Sequence, residues 1–239
     1  MRHALLIAQS FDKQDDRLFR IRSTIRDSGL EVTSLAFESG GEAMRDPETR
    51  DLRPRAVALL MLFSQLVIAA VIAGYFTRFF PLAMTVIFWT VILGGGFLAS
   101  PMGLSMRQAF LARIGAWIGQ WDTAKTRFDV IWAVDAESLR LATQLAKRDG
   151  AKLIFHASER LLDDAPDGDI LRDVSLAATA IDHWVAENTE IAALYAPSFG
   201  AAEPVILSKA IDQQDVAAVT ALVRNAAIIR AEPRGQNSS

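Results

Sequence analysis

Two stretches without a single charge constrain this chain more than any other feature. Ala56–Phe76 and Phe79–Ala99 each run 21 residues with no Asp, Glu, Lys or Arg, and only Thr77-Arg78 separates them. At about 1.5 Å rise per residue, a helix over either stretch spans the roughly 30 Å hydrocarbon core of a bilayer. A soluble chain of 239 residues rarely buries two helices that are apolar on every face. The expectation is therefore a transmembrane helical hairpin over 56–99. Arg50, Arg53 and Arg55 precede the first span, and Arg107 and Arg113 follow the second. By the positive-inside rule both outer ends lie in the cytoplasm and Thr77-Arg78 at the far surface. Pro81 stands in the first turn of the second helix, where its missing N–H costs little. Ala69, Ala70, Ala73, Gly74 and Gly94–Gly96 are small enough to let the two helices approach closely.

The rest of the chain reads as a different solvent world. Overall, 51% of residues are hydrophobic and 22% charged, near globular averages, yet residues 56–99 carry one charge, Arg78. The formal net charge of -3 gives no electrostatic footprint for nucleic acid. The absence of cysteine excludes disulfides, thiolate zinc sites and a cysteine nucleophile. His3, His156 and His183 are far apart and show no metal-binding spacing, so no metal is expected. The apolar run Ala4–Ala8 is too short for a signal-peptide core and meets Asp12, Lys13, Asp15 and Asp16 at once. The soluble part is thus expected on the cytoplasmic side of the inner membrane, in a multi-pass protein.

Leu5–Ala8 reads as a buried parallel strand. Asp15–Ser28 reads as a helix, with Leu18, Ile21 and Ile25 on one face and Gly29 as its stop. Leu30–Phe37 reads as a second strand, which completes a βαβ unit without GxGxxG. Ser39–Arg55 reads as a polar connector. In Leu104–Trp121, Met106, Phe110, Ile114, Trp117, Ile118 and Trp121 recur at helical spacing, which predicts an interfacial amphipathic helix or one packed on the sheet. The α/β pattern then resumes. Strands are expected at Val130–Val134, Lys152–Phe155, His183–Ala186 and Val205–Leu207, and helices at Ala136–Arg148, Asp169–Asp182, Asn188–Tyr195 and Asp215–Ile229. The predicted organisation is a Rossmann-like α/β domain from 1–55 and 128–231. The hairpin 56–99 and interfacial segment 100–127 are inserted in it, and a disordered tail follows over 232–239.

Ligands of open parallel sheets bind beyond the carboxyl ends of the strands. Those ends carry Ser10 to Asp16, Asp135 to Ser138 and His156 to Glu159. Asp135 and Glu159 each fit a base or a hydroxyl ligand, and each equally fits a helix N-cap or first-turn acid. His156, with an ordinary pKa near neutrality, fits proton transfer or a fixed structural hydrogen bond. No P-loop and no GxSxG elbow is present.

Five motifs carry a resemblance. Asp15-Asp16-Arg17-Leu-Phe-Arg20 running to Asp27-Ser-Gly29-Leu-Glu-Val32-Thr33 resembles the opening of family 4 glycosyltransferases of the GT-B fold. Phe128–Asp135 is similar to that family's PDVVHAHD strand, and Ala151–Glu159 to its AKVVYDSHE segment. Asp182–Glu187 stands where the family has DAVITVS, and Pro204-Val205-Ile206 where it has PVTVIPN. The match covers residues 3–38 and 128–212 in order. Two positions depart: Ser158 occupies the place of the family's histidine, and His156 that of its aspartate. The resemblance implies the acceptor-side half of a sugar transferase. His156 and Asp135 would be the catalytic groups, and Ser10, Asp16, Ser158 and Glu159 the substrate-binding ones. The acceptor would be a lipid-linked or membrane-proximal glycan. No cofactor is expected on this chain, because a separate donor-binding subunit would bring the nucleotide-sugar. The rival expectation is a non-catalytic membrane scaffold descended from such an enzyme, and a fragment of a longer enzyme is a third.

Overall fold

A computed structural model describes residues 2–10, 16–38, 48–52, 58, 62, 65, 67, 69–70, 113–158, 168–200, 202–208 and 211–228. The chain divides into two compact units, Met1–Asp51 with Gly119–Ser239, and Leu52–Ile118.

The first unit is a doubly wound α/β domain. Its elements are β1 (His3–Ser10), α1 (Asp16–Asp27), β2 (Glu31–Glu38), β3 (Thr49–Asp51), β4 (Val130–Val134), α2 (Ala136–Asp149), β5 (Lys152–Ala157), α3 (Gly168–Ala177), β6 (His183–Ala186), α4 (Thr189–Phe199), β7 (Val205–Ile206) and α5 (Gln213–Ile228). All seven strands are parallel, in the order β3-β2-β1-β4-β5-β6-β7. The sheet grows outward from β1 in both directions, so the chain reverses between β1 and β4. That is where a Rossmann-like sheet opens its ligand crevice.

Both faces are covered, which is why the central strands are apolar throughout rather than alternating; every residue of β4 is buried. Alternation still decides which face each side chain meets. Leu6, Ala8, Trp132, Val134, Ile154 and Val185 join Leu18, Ile21 and Ile25 of α1 and Val219 and Val223 of α5 in one core cluster. On the opposite face α2 packs over β1, β4 and β5, and Phe155 and Trp184 meet the aromatic side chains of α4. Gly150 ends α2 at φ 65°, a left-handed cap that any side chain would strain.

Several expected boundaries move for identifiable reasons. β1 is eight residues long and so extends to both sides of the apolar run Leu5–Ala8. Thr49–Asp51, inside the expected polar connector, adds a short edge strand to β2, where pairing needs backbone rather than apolar side chains. The helix expected over Asp169–Asp182 stops at Ala177 and tightens into a single 3₁₀ turn, Ala178–Ala180. α5 begins at Gln213, because the Asp212 carboxylate accepts from the amides of Gln214 and Asp215 at 2.8 and 2.9 Å.

In the second unit, residues 58, 62, 65, 67, 69 and 70 are helical, with Leu62 54% exposed. Apart from these positions, the expected hairpin lies outside the described residues. Among the described residues no helix is long and apolar enough to cross a membrane. Of the expected Leu104–Trp121 helix, residues 113–121 are described and helical; the helix continues to residue 122. Ala116 and Ile118 are buried, whereas Trp117 and Trp121 are 53% and 69% exposed.

Candidate functional site

The carboxyl edge of the sheet gathers two polar clusters, one toward each face. The first is built from β5, β6 and α1. His156 pairs in register with Val134 and Val185, so it shares the face of α1. Its ring meets Trp132 edge-on at 6.1 Å, and it is fully buried. Glu187, just past β6, forms an ion pair with Arg17 in the first turn of α1. Its Oε1 lies 3.9 Å from His156 Nε2. Neither ring nitrogen of His156 has a hydrogen-bond partner among the described residues, and nor has Trp132 Nε1. Burial first, and the Arg17 guanidinium second, lower the His156 pKa from 6.5 to about 3. The imidazole is therefore neutral at any physiological pH.

Asp135 organises the second cluster. It sits at φ 66°, ψ 157°, a region that essentially only glycine occupies without strain. Three backbone contacts hold it there. Its N–H donates to the His156 carbonyl at 3.0 Å, and its carbonyl accepts from the N–H and Oγ of Ser138 at 3.2 and 2.8 Å. Its hydrogen bonding differs from that of an ordinary helix cap. The Asp135 side chain makes no capping bond to α2. Instead its Oδ1 accepts from Ser158 Oγ, past the end of β5. Asn188 offers the contrast: it precedes α4 in the same way and caps it, accepting from Ile191 N–H at 2.8 Å.

Tyr195 of α4 is near enough to Asp135 to feel its charge. Its ring is fully buried edge-on to Phe155 at 6.0 Å, and its hydroxyl has no hydrogen-bond partner among the described residues. Burial first, then the charge of Asp135, raise its pKa to about 12. The phenol thus stays protonated and able to donate.

Of the residues singled out in the sequence, folding joins Asp135 and Ser158 in the second cluster, whereas His156 belongs to the first, on the face of α1. Ser10 closes β1, the neighbouring strand. Asp16 is exposed at the start of α1, where it lines an open groove of about 450 Å³ with Phe19, Arg20, Arg22, Ser23 and Arg26. Glu159 lies outside the described residues. Arg17, Glu187 and Tyr195 join the site without having been singled out. Arg17 and Glu187 stand inside quoted motifs, whereas Tyr195 appeared only as the expected end of its helix. Among the described residues no group of three His, Asp or Glu side chains is arranged to hold a metal ion.

Comparison with known protein families and with curated proteins returns no match. The fold and the site geometry therefore carry the functional argument.

Proposed function

We propose that this chain is the acceptor-side half of a membrane-anchored, GT-B-like glycosyltransferase. In this reading it presents a hydroxyl of a lipid-linked or membrane-proximal glycan to a sugar nucleotide held by a separate donor-binding subunit. The single observation that carries the proposal is Asp135: a side chain 5% exposed, held in a strained backbone turn at the carboxyl edge of the sheet, that makes no capping bond to the helix it precedes. Strain of this kind costs of order 1–3 kcal/mol and concentrates where a side chain must be aimed. Asp135 is the proton acceptor. The acceptor oxygen forms a bond to the anomeric carbon as the bond to the nucleoside diphosphate breaks, and the hydroxyl proton passes to the carboxylate. His156, enclosed and neutral, serves by fixing Asp135 through its backbone carbonyl.

Membrane anchoring rests on the uncharged spans and on the exposure of Ala58, Leu62, Gln65, Ala69 and Ala70, helical positions inside the first span. A lipid-facing surface explains a leucine 54% exposed there. A non-catalytic scaffold is the second reading, favoured by the complete burial of His156.

The test uses membranes containing the full chain, supplied with cytosol and radiolabelled UDP- and GDP-sugars. Label should enter the lipid phase, and Asp135→Asn should lower the rate by about 10²–10⁴ at unchanged protein level. Equal incorporation by both proteins would favour the scaffold. In parallel, alkaline carbonate should leave the protein in the pellet, and deletion of 56–99 should release it.

A further inference from the structure

We infer that the groove along α1 is a binding site for a phosphate group, gripped by Arg20 on one side and by Arg22 and Arg26 on the other. The inference goes beyond the transferase reading and does not rest on it. The groove is open, measures about 450 Å³, and is lined by Asp16, Phe19, Arg20, Arg22, Ser23 and Arg26. Helical spacing arranges these side chains. Phe19 and Ser23, four residues apart, run along the middle; Arg22 and Arg26, also four apart, form one side, and Asp16 and Arg20 the other. Each side is tethered. The Arg22 guanidinium lies over the Phe19 ring at 4.9 Å, and Arg26 Nη2 meets Glu48 at 2.9 Å. Across the groove, Arg20 Nη1 donates to the Ile211 carbonyl at 3.1 Å.

Arg20 carries the argument. Among the described residues its guanidinium meets that neutral carbonyl and no carboxylate. One of its five N–H donors is used there, so its charge and its other donors remain for a ligand. The carbonyl that holds it is costly to present. Ile211 sits at φ 41°, which a β-branched residue rarely adopts. The turn is nonetheless fixed from both ends: Ile211 N–H donates to the Ser208 carbonyl at 3.2 Å, and Asp215 Oδ2 accepts from the N–H groups of Ser208 and Asp212 at 3.1 and 3.0 Å. Strain of this kind concentrates at ligand clamps, and here it holds a guanidinium at the groove. The donors then select the ligand. A carboxylate offers two coplanar oxygens, which suit one guanidinium. A phosphate offers oxygens in several directions and can meet guanidinium groups on both sides at once. Asp16 repels an anion at its own end, but Arg26 stands ten residues on, about 15 Å further along the axis. The phosphate therefore sits toward Arg26.

The experiment takes the full-length protein in a neutral detergent at constant ionic strength. One arm titrates inorganic phosphate, a second titrates phosphatidic acid carried in the same micelles, and acetate is the carboxylate comparison. Binding is read by calorimetry and by the phosphorus resonance. Saturable binding of inorganic phosphate assigns a soluble phosphate compound; saturable binding of phosphatidic acid alone assigns a lipid headgroup. Acetate should not saturate in either case. Ser23→Glu sets a negative charge in the middle of the groove with a good helix former, and should abolish binding with the urea midpoint unchanged. Arg20→Gln should weaken binding about tenfold, whereas Arg140→Gln, at an exposed position of α2, should leave it unchanged. No saturable binding in either arm would overturn the site. So would binding that survives both Ser23→Glu and Arg20→Gln, or acetate bound as tightly as phosphate. An Asp- and Glu-rich peptide that binds where both phosphate probes fail would also overturn it, and would give the groove to a protein partner.

Discussion

The two edges of the sheet use the same residue types for opposite ends. At the amino edge, Asp129 accepts from His3 N–H at 3.1 Å, Asp149 from Phe128 N–H at 3.1 Å and Asp182 from Leu153 N–H at 2.9 Å. Each carboxylate thus satisfies an amide at the start of a strand, and two also meet a cation: Arg148 at 2.7 Å and Lys152 at 2.6 Å. At the carboxyl edge Asp135 is strained, His156 is buried with neither nitrogen satisfied among the described residues, and the Tyr195 hydroxyl is in the same position. Acids at one edge complete the backbone's hydrogen bonding; polar groups at the other are held at a cost in stability. The difference separates groups that build the fold from groups that the fold aims at something else.

The sharpest way to break this comparison is Asp149→Ala. It strips a buried amide and the Arg148 guanidinium of their acceptor, and should lower stability by about 3 kcal/mol, read as a shift in the urea midpoint. A loss below about 1 kcal/mol would remove the distinction between the edges.

Acid should act next, through the carboxyl edge. The folded pKa of His156 lies below its unfolded value, so between about pH 6.5 and 3 the unfolded chain binds the proton more readily. Its contribution is therefore complete above pH 6.5 and is lost as pH falls through that window. Between pH 6.5 and 4.5 the loss should reach about 2–3 kcal/mol, at about 1.36 kcal/mol per unit. His156→Leu should flatten this slope in a pH series of urea titrations. An unchanged slope would show that the acid response comes from elsewhere.

Asp135→Gly should move stability the other way. Relief of about 1–3 kcal/mol of strain, less roughly 0.5–1 kcal/mol of added chain entropy, leaves a gain of about 0–2.5 kcal/mol. Sugar transfer should vanish with it. A destabilised variant would mean that the carboxylate is structural and that the contrast is overdrawn. The smallest effect belongs to Asn188→Ala, which removes the α4 cap and should cost about 1 kcal/mol with function intact. If activity also fell, capping at this edge could not be separated from ligand handling.

The sequence alone determined the α/β class, the order of most strands and helices, and which polar residues stand at the carboxyl ends of the strands. Those properties follow from local periodicity: apolar runs such as Leu5–Ala8, the helical stripe Leu18-Ile21-Ile25, and stop residues such as Gly29 and Gly150. The same local reading missed β3, because Thr49–Asp51 is polar and pairs through its backbone at the sheet edge. It left Asp135 between cap and functional acid, since both roles suit an aspartate ahead of a helix. Only tertiary structure showed that Asp135 makes no capping bond, because φ 66° and the bond from Ser158 depend on β5 lying beside β4. Tertiary structure likewise recruited Arg17, Glu187 and Tyr195 from three separate segments. Tyr195 stood in the sequence only as the expected end of a helix, and only the fold shows its ring packed on Phe155. Periodicity records which side of an element is apolar; it holds no information about which element lies opposite, and that is what makes a site.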